Sequence, residues 1–295
     1  MAQINRRDAA KAVLGGTAAL LARPVLASPW IDSVVRGVQI GAQSYSFRDR
    51  PLDACIQAFV TVGLGECELS QAHLEPGEGT VTREKLREWR LNTPLSYFED
   101  VRKKFDAAGV RLYAYNYSFR HDMTEAEMRR GFEMTKALGC RYITASSNVS
   151  LAPAVDKLAE EFKITVGFHG HDNTANLDEF STPETFERAL HGASQYLGIN
   201  LDIGHFTAAG GDAVSFIREH HERIVTLHLK DRKKNHGDNL PFGEGDTPIV
   251  AVLQLLRDQR WHIPANIEYE YGKPGMDTIV EVKKCYAYCR KALES

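Results

Sequence analysis

The sequence has few cysteines and no excess of basic charge, and both shortages exclude classes of protein. Its five cysteines are odd in number and include no C-x-x-C pair, so they indicate neither a disulfide framework nor a cysteine zinc site. The formal net charge is −3, which provides no basic surface for a phosphate backbone, and we therefore expect no nucleic-acid partner. What is present is ordinary globular composition, with 43% hydrophobic residues in a chain of 295.

Long apolar runs are also scarce: the run at the N-terminus is too short and too rich in glycine for a membrane span. Asn5-Arg6-Arg7-Asp8 precedes this run, and Ala27 lies near its end. Paired arginines, an apolar run and small residues in this order are typical of a bacterial twin-arginine export signal. We therefore predict that residues 1–27 are a signal peptide and that the protein is periplasmic or otherwise exported, with no stable membrane insertion after cleavage. A short amphipathic helix that starts the domain is the alternative.

Beyond Arg36 the chain repeats one unit, a short β-rich run that ends in polar residues and then a longer stretch of helical period. The predicted strands are Val38–Ser44, Glu66–Leu69, Arg111–Asn116, Arg141–Ala145, Thr165–His169, Gly198–Asp202, Ile224–Leu229 and Ile263–Glu268. The predicted helices are Leu52–Val62, Leu95–Ala108, Glu125–Leu138, Ala152–Phe162, Pro183–Tyr196, Asp212–His220, Pro248–Asp258 and Met276–Leu293. Alternation at about 30 residues per unit indicates parallel strands joined by right-handed crossovers.

Eight such units predict an α/β fold, a single (β/α)8 TIM barrel over residues 36–295. An open doubly wound sheet is the alternative. It would need a glycine-rich loop after an early strand, whereas Gly63-Leu64-Gly65 precedes its strand. The segment Gln71–Asn92 is longer than a usual loop between a strand and a helix, so we predict an elaborated loop over the barrel mouth.

Polar side chains lie at the ends of most of the predicted strands, which in such a barrel converge on one pocket. They are Glu68, Asn116, His169, His171, Asp202, His205, His228, Lys230, Glu268 and Glu270. A lone histidine beside an apolar run is usually a hydrogen-bonded core or surface residue. Here four consecutive strands end in imidazole or carboxylate groups, and a divalent ion needs three or four such ligands from different segments. Without a thiolate, Mn²⁺, Mg²⁺, Co²⁺ and Zn²⁺ all fit, and manganese is the best guess.

Four segments occur in order along the second half of the chain and carry a resemblance to a known family. They are Leu201-Asp202-Ile203-Gly204-His205, His228-Leu229-Lys230-Asp231, Gly243-Glu244-Gly245-Asp246 and Ile267-Glu268-Tyr269-Glu270. Together they resemble the xylose isomerase-like TIM-barrel family of sugar isomerases and epimerases, related to endonuclease IV, over roughly Val38 to Leu293. The resemblance implies a metal held by the residues at four positions, His169, Asp202, His228 and Glu268. It also implies a sugar or keto-sugar substrate.

One position departs from the family pattern. The fifth-strand metal ligand of the epimerases is a glutamate that exchanges protons with the substrate, and His169 stands there in this sequence. A metal site is still expected, with Glu268 or Glu270 as the base that removes a proton beside a carbonyl. The favoured activity is sugar isomerisation or epimerisation. The alternatives are a lyase or hydrolase of 3-keto-glycosides and a sugar-binding barrel without catalysis.

The remaining candidates have structural explanations of comparable weight. We predict Glu68 and His205 as further catalytic groups, although either could be a buried polar residue of the barrel. The predicted substrate contacts are His171, Lys230, Asn116 and Tyr115. A salt bridge inside the barrel is as good an explanation for the lysine, and packing for the tyrosine. An endonuclease is disfavoured because it would need a basic groove, and the sequence allows an oligomer.

Overall fold

Eight parallel strands close into a barrel in the computed structural model, which describes residues 30–77, 79–272 and 275–295. The barrel strands are Val38–Gln43, Glu66–Ser70, Arg111–Asn116, Tyr142–Ser146, Thr165–His169, Leu197–Asp202, Ile224–Leu229 and Ala265–Ile267. The barrel closes at Ala42 on the first strand, which pairs with Cys67 on the second and with Ile267 on the eighth. The predicted TIM barrel is confirmed. The predicted signal peptide, residues 1–27, lies outside the described residues.

Helices follow the strands and surround the barrel. The α-helices are Leu52–Val62, Arg83–Asn92, Leu95–Ala108, Glu125–Leu138, Ala152–Phe162, Pro183–Leu190, Ile203–Ala208, Ala213–His220, Ile249–Gln259 and Thr278–Glu294. Single 3-10 turns occupy Ser44–Phe47, Gln71–His73, Val149–Leu151 and His221–Arg223. Short antiparallel strands lie at Val34–Val35, Asp231–Arg232 and Asn239–Leu240. Among the described residues, no helix combines the length and the apolarity that crossing a membrane requires.

The helix Glu125–Leu138 illustrates how local sequence sets these boundaries. The Thr124 side chain accepts from the backbone N–H of Glu127, and the Glu127 carboxylate accepts from the backbone N–H of Thr124. This reciprocal capping box satisfies donors that the first turn leaves unpaired. Gly139 ends the helix at φ 68°, a conformation that costs residues with a Cβ more than glycine.

Several of the predicted element boundaries differ from those in the structure. The helix that begins at Pro183 ends at Leu190 instead of Tyr196, because Gly192 turns the chain at φ 70° before the sixth strand begins. The segment after Gln71 contains the helix Arg83–Asn92 where we predicted an elaborated loop. The eighth strand ends at Ile267, yet the backbone N–H of Glu268 still donates to the carbonyl of Leu229 over 3.0 Å.

The apolar core lies between the strands and the helices. Phe59, Phe105, Phe132 and Phe168 are fully buried there, and each such burial contributes roughly 1.5–3 kcal/mol to folding. All five cysteines are buried and free, as the sequence predicts. Inside the barrel the filling is partly polar, and the carboxyl ends of the strands carry charged groups. These groups form the candidate site.

Candidate metal centre

Four side chains from four consecutive strands meet at the mouth of the barrel. His169, Asp202, His228 and Glu268 offer nitrogen or oxygen atoms that all lie within 4.8 Å of one another, and all four residues are buried. Two of them are paired directly by the sheet, because Asp202 lies opposite His228 in the register of the sixth and seventh strands. The parallel strands therefore bring together the four side chains that the resemblance implies.

Asp202 divides its two carboxylate oxygens between two contacts. Its Oδ1 accepts from the backbone N–H of His205 over 2.7 Å and so caps the short helix Ile203–Ala208. Its Oδ2 accepts no hydrogen bond, although the ammonium group of Lys230 lies 3.1 Å away. The cap holds the aspartate rigidly, with its other oxygen directed to the site.

Unpartnered buried atoms show that the set fits a divalent ion. Among the described residues, Nδ1 of His169 and Oδ2 of Asp202 are buried without a hydrogen-bond partner, and only the second has a charged group, Lys230, beside it. A buried polar atom in this state is costly unless another group contacts it. Burial, aided by the neighbouring imidazoles of His228 and His171, lowers the pKa of His169 well below its usual value. The ring is therefore neutral at pH 7 and can offer a lone pair to a metal. Two imidazoles and two carboxylates suit Mn²⁺ or Zn²⁺.

His228 contacts a carboxylate at each ring nitrogen. Its Nδ1 lies 3.0 Å from Oε2 of Glu268, and its Nε2 lies 2.8 Å from Oε2 of Glu68. Two ligands that each bind one ion at about 2.1 Å lie about 3 Å apart, so the first distance is compatible with a shared metal. Against the effect of burial, Glu68 and Glu268 raise the pKa of His228 well above its usual value. A metal that binds this ring must therefore displace a proton.

Lys230 lies among the carboxylates of the site. Its ammonium nitrogen is 2.9 Å from Glu268 and 2.7 Å from Oε2 of Glu270. Burial opposes the charged amine, but Asp202, Glu268 and Glu270 together raise the pKa of Lys230 above its usual value. In turn Lys230 and His228 outweigh burial and hold the pKa of Glu268 well below its usual range. Lys230 and Glu268 are therefore both charged at neutral pH, as an ion pair that stabilises both partners.

A second group of side chains lies at the outer edge of the site. His205 lies 3.0 Å from the ammonium of Lys230 and 2.6 Å from a guanidinium nitrogen of Arg232. Arg232 in turn contacts Asp172 at 3.0 Å, and His171 lies 3.3 Å from Glu179. Sequence analysis selected the two histidines and Lys230 but missed Arg232, Asp172 and Glu179. Asp172 directly follows His171 in the sequence, and Arg232 follows the H-L-K-D segment, so proximity along the chain was an available signal.

The site opens into a cavity of about 430 Å³, a size that suits a small-molecule ligand. Its walls include the predicted residues Asn116, His169, His171, His205, His228, Lys230, Glu268 and Glu270. Other polar residues of the lining were not selected from the sequence, namely Gln43, Tyr45, Ser70, Gln71, Ser118, Arg120 and Ser146. The walls thus carry far more hydrogen-bonding groups than apolar ones, as a polyhydroxylated ligand requires.

Tyr115 is a correction to the predicted substrate contacts. Its side chain is fully buried and packs against Tyr117 with ring centroids 5.8 Å apart, and it does not line the cavity. Alternate residues of a strand point to opposite faces, and the adjacent Asn116 is the one that lines the cavity. Tyr115 therefore belongs to the packing between the third strand and its helices.

A larger groove of about 560 Å³ lies on the flank of the barrel, between the helices Ala152–Phe162 and Pro183–Leu190. Its lining is mostly apolar, with Val149, Pro153 and Leu177 among its residues. Size alone would favour this groove as a ligand site. We place the function at the barrel mouth instead, because the convergent titratable groups with shifted pKa values lie there.

Comparison with known proteins agrees with this geometry. The chain is 26% identical over 231 residues to the rhizopine catabolism protein MocC of Rhizobium meliloti, which covers 70% of this chain and 65% of that protein. The chain thus spans slightly less than two thirds of that relative. A sugar phosphate isomerase/epimerase from Parabacteroides distasonis superposes with a TM-score of 0.63 at 17% identity, over 91% of this chain and 99% of that one.

A second solved structure, the IolI protein with a zinc atom, superposes with a TM-score of 0.62 at 15% identity, over 87% of this chain and 96% of that one. At these identities the two structures establish the fold. The description of the xylose isomerase-like TIM barrel family matches residues 80–288, more than half of the chain. The match covers the strands that carry His169, Asp202, His228 and Glu268. On this basis the chain belongs to the xylose isomerase-like TIM barrel family.

Proposed function

We propose that the protein is a divalent-metal-dependent enzyme that isomerises or epimerises a sugar or keto-sugar by moving a proton at the carbon beside a carbonyl. The observation that supports this most is the convergence of four buried donor residues at 4.8 Å or less, beside a polar cavity. A bound divalent ion would polarise the carbonyl and hydroxyl oxygens of the substrate. His169, Asp202, His228 and Glu268 would hold it.

Glu270 is the better of the two candidate bases. Oε2 of Glu268 is already contacted by His228 and Lys230, and Glu268 belongs to the donor set. Glu270 lines the cavity with a side chain that is 26% exposed, against 7% for Glu268. Lys230, 2.7 Å from Glu270, holds its carboxylate in place between turnovers. A carboxylate that reaches the cavity but does not hold the metal is the group that can accept the proton.

Exchange of solvent deuterium into the substrate tests this assignment. Glu270→Gln keeps the shape of the side chain but cannot take the proton, so we expect turnover and exchange to fall about a hundredfold or more while Mn²⁺ still binds. Glu219→Gln, on an exposed helix far from the cavity, is the matched control and should behave as wild type. Exchange that persists in Glu270→Gln and vanishes in Glu268→Gln would move the base to Glu268.

A lyase or hydrolase of 3-keto-glycosides is the second candidate, and His169 is the observation that favours it. Epimerisation needs a proton-transfer group on each face of the carbon, and the two acidic candidates, Glu268 and Glu270, come from the same short segment directly after the eighth strand. An imidazole at position 169 faces them instead of a carboxylate. Incubation with a 3-keto-glycoside separates the two: release of the aglycone indicates elimination or hydrolysis, and an epimer with the glycosidic bond intact indicates epimerisation.

The metal we propose is Mn²⁺, and zinc is the main rival because a zinc atom is named in one similar structure. Metal analysis of purified protein, followed by chelation and reconstitution with each ion, identifies the activating metal. A sugar-binding barrel without catalysis would keep its ligand affinity after chelation and show no turnover with any ion. The enzyme should lose activity on chelation and regain it with Mn²⁺.

We also propose that residues 1–27 direct export to the periplasm through the twin-arginine route. The support is the sequence itself, with Arg6 and Arg7 before the apolar run. Changing both arginines to lysine keeps the charge but removes the paired signal, and should trap the precursor in the cytoplasm. Mature protein outside the inner membrane at the wild-type level would contradict the proposal.

A further inference from the structure

Glu68 is fully buried in the middle of the second strand, Glu66–Ser70, and is not among the residues of the cavity walls. One of its oxygens lies 2.8 Å from Nε2 of His228, across the barrel. The other accepts a hydrogen bond of 2.7 Å from the hydroxyl of Thr144 on the fourth strand. The amide of Asn116 on the third strand lies 3.3 Å from that hydroxyl. Three strands thus fix the orientation of one carboxylate toward the histidine.

The contact with Glu68 decides which nitrogen of His228 can bind a metal. The Glu68 oxygen 2.8 Å from Nε2 can accept a hydrogen bond, so a ring that carries one proton places it on Nε2, directed at Glu68. Nδ1 then presents its lone pair beside Glu268, in the centre of the four donor residues. Asn200 lies 3.1 Å from the same Nε2, and with its amide reversed its oxygen would accept from that N–H as well.

We propose that Glu68 is a positioning residue that fixes His228 with Nδ1 toward the divalent ion and thereby sets the affinity for the ion. This inference rests on the proposed metal-dependent function. It replaces the prediction that Glu68 is itself catalytic, since Glu68 does not line the cavity and its oxygens contact His228 and Thr144. Carboxylates that support a metal-bound histidine in this way typically contribute 10- to 100-fold to metal affinity.

Calorimetric titration of the metal-free full chain with Mn²⁺ tests the proposal. Glu68→Gln should bind Mn²⁺ about 10- to 100-fold more weakly than wild type. Glu66→Gln is the matched control, because Glu66 lies on the same strand, is also buried and makes no contact with His228. It should bind Mn²⁺ as wild type does. Thr144→Val, which removes one hydrogen bond to Glu68 and no charge, should weaken binding by a smaller factor.

A second measurement separates positioning from catalysis. At Mn²⁺ concentrations that saturate the variant, Glu68→Gln should recover most of the wild-type turnover, whereas Glu270→Gln should stay inactive. Wild-type affinity in folded Glu68→Gln, or no recovery at saturating Mn²⁺, would overturn the positioning role. If Glu68→Gln does not fold, Thr144→Val decides, and wild-type affinity in that variant would overturn the proposal. Failure of wild type to bind any divalent ion would instead overturn the proposed function.

Discussion

The molecule contains two clusters of charged residues that differ in their balance of positive and negative side chains. The arginine cluster joins the helix Arg83–Asn92 to the helix Glu125–Leu138, and the mouth cluster lies at the ends of the strands. In the arginine cluster, Arg83, Arg87 and Arg90 each contact a carboxylate of Asp122, Glu127 or Glu75 at 2.7–2.8 Å. In the mouth cluster, the carboxylates are Glu68, Asp202, Glu268 and Glu270, and their cationic partners among the described residues are Lys230 and His228.

This difference separates a structural cluster from a functional one. The arginine cluster is neutral in itself, so it needs nothing further to hold two helices together. The mouth cluster carries an excess of negative charge in a buried place, and Nδ1 of His169 has no partner there. Buried carboxylates in excess are stabilised by a cation, and the donors are those a divalent ion prefers. The charge balance of a cluster thus indicates whether its own side chains neutralise it or whether a bound ion is expected to do so.

The largest expected effect is on metal binding. Asp202→Ala and His228→Ala each remove a donor that no described neighbour replaces, and should lower Mn²⁺ affinity about a hundredfold or more and abolish turnover. Titration calorimetry and metal analysis measure this loss. Asp122→Ala, a carboxylate of the arginine cluster, is the control that should keep wild-type affinity. Equal losses of Mn²⁺ affinity in Asp122→Ala and Asp202→Ala would show that the two clusters do not differ in metal binding.

The next effect is on stability. Glu127→Ala leaves Arg83 and Arg87 without their buried carboxylate and should lower the free energy of unfolding by about 3 kcal/mol, with unchanged Mn²⁺ affinity. Denaturant unfolding measures this change. Glu125→Ala, an exposed residue of the same helix, should have little effect. A destabilisation in Glu127→Ala no larger than in Glu125→Ala would show that the arginine cluster contributes nothing.

The next prediction concerns how the contribution of the arginine cluster to the free energy of unfolding changes at acid pH. This effect is smaller, and its sign is fixed by the pKa of Glu127. Although burial works in the other direction, hydrogen bonds from Arg83 and Arg87 lower the pKa of Glu127 from 4.5 to about 2. A carboxylate whose pKa is depressed by folding contributes stability above the unfolded pKa and loses it as the pH falls toward the folded value. The difference in unfolding free energy between wild type and Glu127→Gln should therefore shrink between pH 4.5 and pH 2. A constant difference across that range would contradict the shift.

The smallest effect concerns Glu66, a buried carboxyl in neither cluster. Burial raises its pKa from 4.5 to about 8, so the neutral form is favoured in the folded protein. The stability it contributes is present below pH 4.5 and is lost as the pH rises toward 8. Glu66→Gln should therefore raise the unfolding free energy at pH 8 and change it little at pH 4. A gain that does not depend on pH would rule out this explanation.

The barrel and most of the site could be predicted from the sequence because both depend on local periodicity. Strand and helix patterns alternate with clear turns, and the helix Leu95–Ala108 was predicted to the residue. Parallel strands in register then bring their last residues together, so Asp202 and His228 could be paired without coordinates. The wrong prediction of Tyr115 as a substrate contact could have been avoided as well, since the alternation that directs Asn116 to the cavity directs Tyr115 away from it.

The features that could not be predicted depend on contacts between residues far apart in the sequence, which local sequence patterns do not indicate. The helix Arg83–Asn92 carries few apolar residues and is held by ion pairs with Glu127, some 40 residues later, so periodicity gave no signal for it. The contact of Glu68 with His228 joins residues 160 positions apart on opposite sides of the barrel. Sequence analysis placed both side chains at the mouth. It could not tell that one would position the other.

The most direct test of the central claim is a crystal of the full chain grown with Mn²⁺ and measured for anomalous scattering at the manganese edge. The account predicts one strong peak among His169, Asp202, His228 and Glu268, with their nitrogen and oxygen atoms about 2.0–2.3 Å from it and with Nδ1 of His228 as the bound nitrogen. No peak in that place, with the ammonium of Lys230 still in contact with Asp202 and Glu268, would show that the lysine alone balances the cluster. That result would contradict the account.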